Sequence, residues 1–119
     1  MLIAYQVALE VVVELKPLVA QIAQQDNTLA KQLVDAASSV VQNLAEGVGH
    51  RGGNRRARWD IAFGEAHEVQ GSLDLAKAWG YVADDSAVRA KLARLLALCW
   101  GLTKGAGSPK RAARSKSGA

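Results

Sequence analysis

Apolar positions along this chain recur at intervals of three and four, and no two-residue alternation competes with them. Such spacing marks helices with one buried face. In the first segment, residues 3–25, Leu2, Tyr5, Leu9, Val12, Leu15, Val19 and Ile22 form one stripe. Pro17 lies inside it and removes the amide bond back to Val13, which predicts a kink. Asp26, Asn27 and Thr28 then supply a turn and an N-cap.

The second helix spans residues 28–48, with Leu29, Leu33, Ala36, Ala37, Val40, Leu44 and Val48 as its buried stripe. Gly47, Gly49, Gly52 and Gly53 are expected to end it. The third begins near Asn54, a candidate cap, and runs to about Trp79, burying Trp59, Ala62, Phe63, Ala66, Val69, Leu73 and Ala76. Ile61, Leu75 and Trp79 fall beside that stripe, so a second face is expected to be partly buried. The fourth, residues 86–103, points Val88, Leu92, Leu95, Leu96, Cys99 and Leu102 one way. Short loops make successive helices antiparallel, so the expected fold is an all-α, up-down-up-down four-helix bundle over residues 1–104. Residues 105–119 have alanines as their only apolar side chains, too little to offset ordering entropy, and are expected to be a disordered basic tail.

The longest run without a charged side chain is ten residues, 36–45, about half of what a membrane crossing needs. The N-terminus shows no basic segment leading to a cleavage site, and a single cysteine excludes an internal disulfide. The expected compartment is the cytoplasm, with no membrane partner.

Charge is placed unevenly. Of the fifteen basic residues, Lys110, Arg111, Arg114 and Lys116 lie in the tail, where there is no acid; the other eleven balance the eleven acids. Within the bundle, Arg51, Arg55, Arg56 and Arg58 crowd into eight residues. A clustered positive patch attracts phosphate backbones more strongly than scattered charges. A solvated loop with a solubilising tail accounts for the same residues.

Enzymatic and metal chemistry find little footing. Residues 47–52 match G-x-G-x-x-G by letter, but a helix precedes them where the dinucleotide fingerprint needs a strand. His67-Glu68 begins like H-E-x-x-H, yet the fifth position is Gly71. The residues three before His67 and His50 are both glycine, so the Glu-x-x-His pairs of di-iron bundles are missing. Cys99 sits on an apolar stripe as a small core residue. No cofactor, metal or catalytic group is expected.

Asn43 and Glu46 share a helix face just before the glycines. Two readings stand: they satisfy donors at the helix end, or they touch a partner. Trp59, Trp79, Tyr81 and Trp100 sit near helix ends or stripe edges, and a small bundle does not easily bury three tryptophans; core packing and a subunit interface are both open to them.

Gln32-Leu33, Ala36-Ala37, Ser39-Val40, and Asn43-Leu44-Ala45-Glu46-Gly47 together resemble the "QLxxAAxSIxxNIAEG" signature of the bacterial 23S rRNA-intervening-sequence four-helix bundle proteins. That group includes the accessory variability determinant (Avd) proteins of diversity-generating retroelements. Phe63-Gly64 to Glu68 is similar to the family's "A-x-G-S-x-x-E" stretch, and Leu75-Ala76 with Trp79-Gly80-Tyr81 to its "LA-x-x-x-GY" ending. The resemblance covers residues 3–103. Val41 stands where the family often has proline, and Glu65 where it has serine. The resemblance implies an antiparallel bundle assembling into a ring, a homopentamer, with Asn43, Glu46 and Gly47 as structural signature residues. The Avd members bind nucleic acid through basic surface residues and partner a reverse transcriptase.

The function expected is therefore a non-catalytic, oligomeric accessory protein. It would bind RNA or DNA with little sequence preference through Arg51, Arg55, Arg56 and Arg58, assisted by Lys110, Arg111, Arg114 and Lys116. The alternative is a protein-interaction scaffold without a nucleic-acid role.

Overall fold

A computed structural model describes the backbone of residues 2–105 and the side chains of residues 2–103. Lys110, Arg111, Arg114 and Lys116, and the disorder expected of their segment, lie outside the described residues. The chain folds as α1 (Ile3–Ala23), α2 (Asn27–Val48), α3 (Gly52–Ala78) and α4 (Ser86–Trp100), closed by a π-helical turn over Gly101–Gly105. Among the described residues there is no strand. α1 packs on α2 and α4, and α3 packs on the same two, so the helices close a four-membered ring in cross-section. The all-α four-helix architecture is the one expected.

Fully buried side chains from all four helices meet along the axis, among them Ile22, Leu33, Leu44, Leu73, Leu92 and Leu95. Truncating any one such leucine to alanine removes about 2–5 kcal/mol through lost transfer energy and a residual cavity. At the surface, Lys91 of α4 reaches Glu10 (3.3 Å) and Glu14 (3.8 Å) of α1.

The α1 core is phased differently from its expected stripe. Ala4, Val7, Ala8, Val11, Leu15, Leu18 and Ile22 are buried, while Leu2, Tyr5, Val12 and Val19 are half-buried and Leu9 is exposed. α1 has more apolar positions than one face can hide. The face carrying Ala4 and Ala8 goes inward, and small side chains there let its neighbours come close. The helix runs on through Pro17, which is exposed.

Helix ends also moved. Asp26 caps α2, its carboxylate accepting from the Leu29 amide at 3.0 Å. Gly47 lies within α2 rather than ending it, and Gly49 is the C-cap. α3 starts at Gly52, not at Asn54: Gly52 takes φ +57°, a left-handed value that lets the chain reverse after a connection of only three residues, 49–51. At its other end α3 closes in a Schellman motif. The Tyr81 amide donates to Ala76 (2.9 Å) and the Gly80 amide to Lys77 (3.0 Å), with Gly80 at φ +80°. In the last turn the Thr103 hydroxyl donates to the Cys99 carbonyl at 3.0 Å, where α4 widens.

Candidate functional site

The corner where α2 passes into α3 brings the signature residues and the arginine cluster together. Gly47 is the pivot. A Cβ there would collide with the Trp59 indole, whose Cδ1 would lie 2.6 Å away, so only glycine lets the ring lie flat on α2. The indole N–H donates to the Leu44 carbonyl at 3.4 Å. Trp59 thus holds the start of α3 against the last turn of α2.

Arg55 lies over the same ring, its guanidinium carbon 5.4 Å from the centroid. Its Nε donates to the carbonyls of His50 (2.9 Å) and Gly47 (3.0 Å), and Nη2 to that of Val48 (3.4 Å). A cation at the negative end of a helix, satisfying its last carbonyls, is a C-terminal cap. Arg58 pairs with Glu46 at 3.2 Å and donates to the Asn43 amide oxygen at 3.5 Å. The Asn43 amide nitrogen in turn donates to the Ser39 carbonyl (2.9 Å) and hydroxyl (3.1 Å). Asn43, Glu46 and Gly47 therefore each meet a side chain of α3, and the corner is built as one clasp.

The four loop arginines divide two and two. Arg55 and Arg58 are turned inward onto carbonyls and a carboxylate. Arg51 and Arg56 are exposed and have no acidic partner among the described residues. Arg51 occupies the N-cap position of α3, makes no side-chain cap bond, and the first turn holds no acid. The leading amides of α3 are thus left to water or to an anion. The seat of Trp59 on Gly47 and the capping role of Arg55 were not read from the sequence; the available signal was the twelve-residue step from Gly47 to Trp59 across a glycine-rich turn.

Among the described residues no group of three or more His, Cys, Asp or Glu could hold a metal ion. Cys99 is buried, and burial pushes its thiol up to about 11, so it stays protonated near neutrality. His67 packs edgewise on Phe63 at 4.7 Å, and Phe63 leans on Trp100 at 6.2 Å. Trp79 stacks on Tyr81 at 6.3 Å and remains 66% exposed. No helix among the described residues is long and apolar enough to cross a membrane.

A four-helix bundle of this kind has a counterpart among known proteins. Residues 1–98 match the model of the 23S rRNA-intervening sequence protein family, and the chain belongs to that family. No curated protein matches it. Its fold is similar to the crystal structure of a protein of unknown function from the S23 ribosomal protein family of Bacteroides thetaiotaomicron VPI-5482. The TM-score is 0.76 at 18% identity, over 85% of this chain and 98% of that one.

Proposed function

We propose that this chain is a non-catalytic, oligomeric accessory protein that binds nucleic acid through the α2–α3 corner. One observation carries the reading: Arg51 and Arg56 project beside an uncapped helix N-terminus whose first turn holds no acid, and neither makes an ion pair among the described residues. Positive side chains beside free backbone amides form a phosphate-binding arrangement. Arg55 and Arg58 then act as positioning residues that set the corner's shape, while Lys110, Arg111, Arg114 and Lys116 add sequence-independent phosphate contacts. Action in the cytoplasm, and partnership with a reverse transcriptase as in the Avd proteins, belong to the same reading. The exposed Trp79 supports the second reading, a protein-interaction scaffold.

Fluorescence anisotropy with mixed-sequence RNA and DNA across a salt series tests this. Binding should weaken steeply with salt, and Arg51→Gln with Arg56→Gln should lower affinity and flatten the log–log slope by about one per lost phosphate contact. Absence of binding at low salt, or binding unchanged in that double variant, overturns the proposal.

A further inference from the structure

Two apolar surfaces of this chain have no partner among the described residues. The first is the outer seam between α1 and α2. Near the arginine corner, Leu2, Tyr5, Ala45 and Val48 line a hollow of about 240 Å³. Further along, Val12, Val19 and Val34 wall a groove of about 310 Å³. Lys16 is the only charged side chain lining either hollow, exposed and without a carboxylate partner among the described residues. The second surface is a ridge on α3. Ile61, Leu75 and Trp79 recur on one helical face, 45%, 47% and 66% exposed.

Three features make the ridge and the groove complementary. The first is charge. Glu68 sits on the ridge between Ile61 and Leu75, one helical turn from Glu65; neither carboxylate has a cation among the described residues. Burial raises the Glu65 carboxyl, and Glu68 raises it further, as suits an acidic pair still lacking its counter-charge. The second is shape. Gly64 and Gly71 lie beside the ridge with open space where a Cβ would stand, so nothing among the described residues requires glycine there. Glycine weakens a helix interior relative to alanine, but it lets a neighbouring surface approach the backbone. The third is height along the bundle. Trp59 touches Leu44, one helical turn below Val48, and Val48 shares a hollow with Leu2. At 1.5 Å per residue, Glu68 and Lys16 then stand about 20 Å and about 21 Å from the same end.

We propose that the α3 ridge of one copy of this chain seats in the α1–α2 groove of the next, bringing Glu68 of the first opposite Lys16 of the second. The proposal rests on the oligomeric part of the reading above and gives it an interface. The chain's own residues 105–119 do not suit the groove, since they offer alanines and four more positive charges to Lys16. Because the two surfaces differ, the contact is head-to-tail. With the copies parallel these heights coincide, and Arg51 and Arg56 of every copy then lie on one rim, where linked weak sites gain avidity.

Light scattering and sedimentation of the full chain across a concentration series test the interface. The wild type should assemble beyond a single 12.6 kDa protomer. Lys16→Glu and Glu68→Lys should each raise the half-assembly concentration at least tenfold while leaving helical circular dichroism unchanged. The combined swap should bring assembly back toward the wild type, which loss of folding could not do. A wild-type monomer at every concentration leaves the groove to a different protein and overturns the proposal. So do single variants that assemble normally, or a double variant that fails to recover. Arg51→Gln with Arg56→Gln should keep the wild-type mass, so failure of the interface and failure of nucleic-acid binding are read separately.

Discussion

At the residue scale, Gly47 and Trp59 define the corner. Gly47→Ala places a methyl group inside the indole's contact distance, so the ring must leave its seat or α3 must shift. Overpacking of this kind costs about 1–3 kcal/mol, and thermal melts should show a lower Tm. An unchanged Tm would mean that the indole does not pack on Gly47. The arginines separate by the same logic. Arg58→Gln should cost under about 1 kcal/mol, because its pair with Glu46 is half-exposed. Arg55→Gln should cost more, about 1–2 kcal/mol, because it satisfies carbonyls at the α2 terminus. Arg51→Gln should leave chemical denaturation almost unmoved, as its side chain is exposed and unpaired. Clustering was legible in the sequence; the inward and outward division was not, because it depends on how α3 rolls against α2.

At the element scale, the α3–α4 junction holds a buried carboxylate. Asp85 takes Arg89 Nε at 2.8 Å and Lys77 at 3.6 Å, while Arg89 also reaches Asp74 at 2.7 Å. Burial by itself would raise the Asp85 carboxyl, but Arg89 and Lys77 outweigh it and hold the group below the usual carboxylate range. A carboxyl depressed in the folded state contributes stability above its unfolded pKa and loses it as pH falls through the folded value. Asp85→Asn should therefore lower stability by about 2–3 kcal/mol at neutral pH. The gap between variant and wild type should narrow as pH falls below about 4, as denaturation at stepped pH would show. A constant gap would remove the ion pair as its cause. On α3, Gly64→Ala should stabilise the isolated protomer by about 0.5–1 kcal/mol, since its Cβ meets open space. Mid-helix glycines could be seen in the sequence; that space surrounds them could not.

At the scale of the whole molecule, four amphipathic helices closing on one another leave both a groove and a ridge without a partner among the described residues. Half of the chain is apolar, more than one narrow bundle hides; part of the surplus lies on these two surfaces, while Ile3, Leu9, Val13 and Trp100 are exposed elsewhere. An assembled ring or filament would bury them and align the exposed arginines. Assembly and nucleic-acid affinity should then rise together with protein concentration, with binding curves steeper for the wild type than for Lys16→Glu.

Periodicity alone determined four helices and their order, because a 3.6-residue repeat with short polar loops admits almost no other arrangement. It also marked the corner, where glycines follow Asn43 and Glu46 and four arginines follow the glycines. Which of two overlapping stripes on α1 faces inward was decided only by tertiary packing, for Leu9 and Val11 are equally apolar as letters yet one is exposed and the other buried. The same holds at the corner. A guanidinium becomes a cap or a free contact according to the carbonyls the fold brings within its reach, and those belong to a different helix.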